Sequence, residues 1–127
     1  MGFNYNLQLH VKAEGCDLYP VVATPNPLYT GQEAYPVLTD CMGWNFARMV
    51  DVGEGKYKTC YYRCDDVLPK IEQGLKELNY NREKYEKYEY LIGAGIIRSS
   101  LDILMNIACC IDEQAKTIPL KSLYLSW

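Results

Sequence analysis

With 127 residues, 49% hydrophobic and 23% charged, the chain has the composition of one globular domain spanning 1–127, and whole-chain disorder is excluded. Thirteen basic against sixteen acidic residues give a net charge of −3, which removes the lysine and arginine excess that direct nucleic-acid binding draws on. No run of about 18 uncharged apolar residues is present to span a membrane. The alternating stretch from Met1 to Lys12 lacks the continuous apolar core of a secretion signal, so a cytoplasmic location is expected.

Residues 3–11 alternate strictly. Phe3, Tyr5, Leu7, Leu9 and Val11 fall on one face and Asn4, Asn6, Gln8 and His10 on the other, the period of a half-buried strand. Glu14 to Asp17 reads as a turn. A second strand over Leu18–Ala23 is placed at a sheet edge by Pro20. Pro25, Pro27 and Gly31 mark Thr24–Gln32 as a loop. Pro36 opens a helix carrying Val37, Leu38, Cys41 and Met42, and Gly43 ends it. Trp44, Phe46 and Met49 extend an apolar stripe or form a bend.

Asp51–Gly55 is a turn, followed by strand character over Lys56–Tyr62. Asp65 is the expected N-cap of a helix to about Leu78, with Val67, Leu68, Ile71, Leu75 and Leu78 on one face. Pro69 falls near its first turn. Asn79–Asn81 breaks it, and a charged segment follows from Arg82 to Glu89 in which Glu83 and Lys87 stand at i,i+4. A Gly93-Ala94-Gly95 hinge leads to the longest helix, about 96–116. Its expected buried stripe is Ile97, Leu101, Leu104, Ala108, Ile111 and Ala115, widened by Ile96, Ile103 and Ile107. Pro119 stops it, and Leu120–Trp127 ends as a possible strand tied back to the sheet. The element order predicts an α+β fold: a small antiparallel sheet packed against two or three helices, with the long helix near 96–116 central to the core.

The residue types narrow the chemistry. Twelve tyrosines stand against two phenylalanines and a single histidine, His10. Tyrosine joins an apolar ring to a polar tip, so it suits core edges and partner surfaces alike. Six cysteines (16, 41, 60, 64, 109 and 110) are expected as free thiols, since no secretion signal places them in an oxidising compartment. Cys60-x-x-x-Cys64 supplies one ligand pair and would need Cys16 and His10 to complete a zinc tetrahedron; no second pair is present, so two thiols at a strand–helix junction are preferred and no metal or cofactor is expected. His10 lacks a signature nucleophile and orienting carboxylate, so a solvated or merely hydrogen-bonded histidine is preferred to a general base. Gly93-x-Gly95 before a helix resembles part of a phosphate cradle without the third glycine of the dinucleotide fingerprint. Asp65-Asp66 and Asp112-Glu113 read as capping and solvated faces. Lys56, Lys58 and Arg63 interleave with Tyr57, Tyr61 and Tyr62, a pattern that serves stacking on single-stranded nucleic acid or cross-strand packing.

The segments Glu14-Gly15-Cys16-Asp17, Cys41-Met42-Gly43-Trp44, Leu68-Pro69-Lys70-Ile71-Glu72 and Leu123-Tyr124-Leu125-Ser126-Trp127 resemble pieces of small accessory proteins encoded by bacteriophages and prophages. That resemblance implies an anti-defence factor, similar to the anti-CRISPR proteins, which acts by binding a bacterial effector protein or ribonucleoprotein and occluding it in the host cytoplasm. It carries no residue roles with it. From the residues themselves, the leading expectation is a non-enzymatic interaction protein whose partner-binding residues are Trp44, Tyr80, Tyr85, Tyr88 and Trp127, exposed on the surface. The alternative is a small-ligand or nucleotide-binding domain built on Lys56, Arg63, Gly93 and Gly95. A hydrolase or transferase using His10 or Cys60 stands third. A homodimer through the Trp44–Met49 face is a further possibility.

Overall fold

A computed structural model describes residues 7–28, 31–44, 50–53, 56–58 and 60–127, with side chains excepted at 32, 50–53 and 56–58. The expectations for Phe3, Tyr5, Phe46 and Met49, and for the dimer face that includes the last two, lie outside these residues. The elements in order are β1 (Gln8–Val11), β2 (Val21–Ala23), α1 (Tyr35–Met42), β3 (Val50–Gly53), β4 (Lys56–Lys58), β5 (Tyr62–Arg63), α2 (Cys64–Tyr80), α3 (Lys87–Leu91), α4 (Ile96–Ala115) and β6 (Leu123–Ser126). Short 3-10 turns occupy Gln32–Ala34, Arg82–Tyr85 and Leu120–Ser122.

The fold is α+β. Four strands form an antiparallel sheet in the order β2-β1-β6-β5, and β3 and β4 pair as a separate antiparallel ribbon. The C-terminal strand is therefore interior to the sheet. β6 lies between β1 and β5, with Leu9 opposite Leu125 and Val11 opposite Leu123. The single strand expected over Lys56–Tyr62 is divided between the two sheets.

Alternation along β1 and β6 gives the main sheet two unlike faces. Leu7, Leu9, Leu123 and Leu125 are buried with the helices. α2 packs on β5 and β6, and on both α1 and α4. α4 brings Ile97, Ile103, Leu104, Ile107 and Ile111 into the core, all fully buried. Each such side chain contributes about 1.5–3 kcal/mol of burial. The buried stripe of α4 departs from the expected one in part. Leu101 and Ala108 are half-buried and Ala115 is exposed, while Ser100 is buried because its hydroxyl donates to the Ile96 carbonyl at 2.8 Å.

Gly74 explains how the helices approach so closely. A β-carbon there would lie 2.8 Å from Leu104 Cδ1 and 3.0 Å from Met42 Cγ, so a side chain would force these core side chains of α4 and α1 to shift. Gly43 closes α1 at φ +65°, the left-handed cap that L-residues with side chains resist. The expected N-cap Asp65 lies inside α2 instead; Arg63 occupies the cap position, and Asp65 holds its guanidinium at 3.0 and 2.5 Å. Pro69 falls beyond the first turn, and α2 continues through it to Tyr80.

Candidate functional site

Three places gather the polar and aromatic residues. The first is the second face of the main sheet. His10 is only 3% exposed. Its Nδ1 lies 2.9 Å from the Tyr19 carbonyl and its Nε2 lies 2.7 Å from Ser126 Oγ. A carbonyl only accepts, so Nδ1 carries a proton; in the neutral ring Nε2 then accepts from the Ser126 hydroxyl. Ser126 stands opposite Gln8, the diagonal neighbour of His10 across the β1–β6 ladder. The edge of His10 meets the Tyr61 ring at 4.8 Å, Tyr61 stacks on Tyr19 at 4.0 Å, and Tyr124 meets Tyr19 edge-on at 5.2 Å. This serine–histidine contact has nucleophile–base distance, but Ser126 is also 3% exposed, so no substrate reaches the pair in this conformation. Around the pair stand the Tyr19 main-chain carbonyl and the rings of Tyr61 and Tyr19, so the polar atoms of both side chains are hydrogen-bonded beneath an aromatic cover.

The second place lies at one end of that face. Lys12 follows β1, Arg63 ends β5, and Lys121 and Ser122 precede β6. With Tyr124 and Glu14 they line a surface cavity of about 350 Å³. Lys12 Nζ also lies 5.6 Å from the centre of the Tyr19 ring. The hydrogen bonds that Arg63 donates to the Asp65 carboxylate hold its guanidinium above its ordinary pKa.

The third place is the connection from α2 to α4, the segment expected to hold most of the partner-binding tyrosines. Two carboxylates fasten it. Glu77 on α2 accepts from Asn81 Nδ2 and, at 3.1 Å, from the Tyr85 hydroxyl. Those two bonds, with Lys84 nearby, hold Glu77 below its usual carboxylate range. Asp40 on α1 accepts from the Tyr88 hydroxyl at 2.7 Å, and Lys87 approaches the same oxygen at 4.0 Å. Burial and then Asp40 push the Tyr88 phenol up to about 12. Lys87 therefore pairs with Asp40 and not with Glu83 as its spacing suggested. Outward from this fastened segment stand Tyr80, Tyr90 and Leu91, at 78%, 88% and 76% exposure.

The expected partner-binding residues thus divide. Tyr80 is exposed and Tyr88 is half-buried. Tyr85 is 3% exposed, so its ring belongs to the core and cannot be an exposed anchor. Trp44 and Trp127 are half-buried because they pack on each other and on Tyr62, with Trp127 stacked on Tyr62 at 4.8 Å and Trp44 edge-on to both. Of the expected ligand residues, Arg63 is not brought together with Gly93 and Gly95. Arg63 lines the cavity, whereas Gly93 and Gly95 lie elsewhere, at the start of α4, and Lys56 lies on β4, whose side chains are outside the described part. The phosphate cradle at Gly93–Gly95 is filled from within: Glu89 Oε2 accepts from the Gly95 N–H at 2.5 Å and from the Ile96 N–H at 3.3 Å, taking the donors a phosphate would use.

None of the six cysteines is joined to another in a disulfide. Burial pushes Cys41 and Cys64 up to about 12, so neither offers a thiolate near neutral pH. No group of three or more potential ligands able to hold a metal ion occurs among the described residues. No single helix among them is long and apolar enough to cross a membrane. Sequence reading missed Ser126, Glu89, Lys12 and Lys121. Ser126 meets a histidine 116 positions away, and no local signal carries that pairing. Glu89 was legible as an acidic residue shortly before a helix start, the position that favours an N-terminal dipole. Comparison of the chain with protein-family models, with curated proteins and with solved structures finds no match.

Proposed function

We propose that this protein is a non-enzymatic binding protein that grips a bacterial effector protein or ribonucleoprotein through the α2–α4 connection, in the manner of a phage-type anti-defence inhibitor. The observation that carries this reading is the contrast within one short segment: Tyr85 and Tyr88 fasten it to Glu77 and Asp40, while Tyr80, Tyr90 and Leu91 are turned to solvent. A fastened backbone reduces the ordering cost of binding, and exposed tyrosines are the side chains in which interface energy concentrates. Arg82, Glu83, Lys84, Glu86 and Lys87 surround them with both charge signs, as at the rim of an interface. A standard contact needs about 800 Å² per partner, which is a small share of the 7840 Å² surface.

The test is affinity purification of the tagged chain from an expressing bacterium, with co-eluting proteins identified by mass spectrometry. A specific host protein or ribonucleoprotein should co-elute with the wild type and be lost with Tyr80→Ala/Tyr90→Ala/Leu91→Ala. A wild type that elutes alone, or a triple variant that retains the partner, would contradict the reading.

A further inference from the structure

The cavity at the end of the main sheet has a chemistry of its own. Three of the thirteen basic residues of a net-acidic chain converge there, from the segment after β1 (Lys12), from β5 (Arg63) and from the turn before β6 (Lys121). Non-local strand pairing brings them together, since β1 and β5 both flank β6. Glu14 is the one carboxylate in the lining, and it forms no ion pair with any of the three among the described residues. Lys121 makes no hydrogen bond or ion pair among the described residues. Arg63 is held by Asp65 through Nε and Nη2, which leaves Nη1 uncommitted and fixes the plane of the guanidinium. A carboxylate-braced arginine loses less side-chain freedom when it takes up an anion, and its rigid fork matches phosphate oxygens. Ser122 and Tyr124 add neutral groups to the same wall, and the Tyr124 ring offers an apolar surface.

We propose that this cavity binds a small phosphate-bearing molecule, with the phosphate between Lys12, Arg63 and Lys121 and its organic part against Tyr124. The volume of about 350 Å³ lies in the range of small-molecule sites and matches a nucleotide-sized ligand better than a lone ion. The site is separate from the α2–α4 connection and does not depend on the partner-binding reading.

Isothermal titration calorimetry on the full chain at low ionic strength, with pyrophosphate and with ATP as probes, tests the proposal. Both probes should bind saturably with a stoichiometry of one. The variant Lys12→Ala/Lys121→Ala should bind each at least tenfold more weakly while its circular dichroism spectrum stays that of the folded wild type, since Lys121 is exposed and Lys12 is half-buried with only its Nζ over the Tyr19 ring. Tyr124→Leu should weaken ATP severalfold and leave pyrophosphate unaltered, which separates the organic contact from the phosphate contact. Tyr80→Ala/Tyr90→Ala/Leu91→Ala should bind both probes as the wild type does. Absence of saturable binding by both probes up to millimolar concentration would overturn the proposal, as would equal binding by the folded double-lysine variant. Binding of a single-stranded oligonucleotide with no binding of either probe would overturn it in favour of a nucleic-acid backbone.

Discussion

Tyr124 on the sheet with Tyr19 and Tyr61 beside it, and Tyr80 and Tyr90 at the helical connection, are one residue type in two opposite settings. On the sheet each ring has another ring as its neighbour, at 4.0 to 5.2 Å, and together they roof the buried His10–Ser126 contact. On the connection the rings have water as their neighbour, and the backbone beneath them is held by other groups. The tryptophans follow the sheet pattern, closing on Tyr62 at its far edge. An aromatic surplus is thus not evidence of a binding surface by itself. What separates the two settings is whether long-range strand pairing supplies a partner ring.

The sheet set should carry stability. Trp127→Ala removes a ring stacked on Tyr62 and edge-on to Trp44, and the expected loss is about 3 kcal/mol, read by urea denaturation. A loss near zero would place the tryptophan with the surface tyrosines and erase the comparison.

The polar layer under the sheet rings comes next. His10→Ala leaves the Ser126 hydroxyl and the Tyr19 carbonyl without their partner in a buried site, at an expected cost of about 1–3 kcal/mol. Ser126→Ala alone should cost less, and the double variant should cost less than the sum of the singles, since the two groups share one contact. Simple additivity in that cycle would show that the pair is not coupled.

Tyr88 sharpens the contrast within the connection. Its phenol is raised from 10.0 to about 12 by burial and by Asp40. A raised value in the folded state means that its contribution is fully present below pH 10.0 and is lost as the pH rises through about 12. Alkaline unfolding of the wild type should therefore be steeper than that of Tyr88→Phe, measured by circular dichroism between pH 9 and pH 12. Superimposable curves would remove Asp40–Tyr88 as a fastening of the connection. Cys64, also raised to about 12, acts in the same direction in both proteins and cancels in the difference.

Much of the architecture was legible because it is local. The alternation around Leu7, Leu9 and Val11, the Gly43 stop, the helix over Val67–Leu78 and the long helix ending before Pro119 all follow from period and punctuation. What failed was what depends on distant neighbours. Alternation puts His10 on the polar side of β1, and it is indeed hydrogen-bonded there, yet it is also buried because Tyr19 and Tyr61 cover it. On α4 the expected Ile96, Ile97, Ile103, Leu104, Ile107 and Ile111 are buried, and the stripe misses only at Leu101 and Ala108, which are half-buried, and at Ala115, which is exposed. Tyr85, Trp44 and Trp127 look like surface anchors in one dimension; a carboxylate on α2 and a ring on β5 draw them inward. The basic cavity was visible only through Arg63, since Lys12 and Lys121 meet it by way of the β1–β6–β5 order.

The smallest stability effect belongs to the exposed tyrosines. Tyr80→Ala and Tyr90→Ala should each change stability by no more than about 0.5 kcal/mol, because neither ring has a core to leave. The most direct measurement applies two readouts to one protein: melting temperature and partner capture from a bacterial lysate for Tyr80→Ala/Tyr90→Ala/Leu91→Ala, beside the wild type. An unchanged melting temperature with capture abolished is the expected result. Capture that persists in this folded variant would show that the grip lies elsewhere on the molecule.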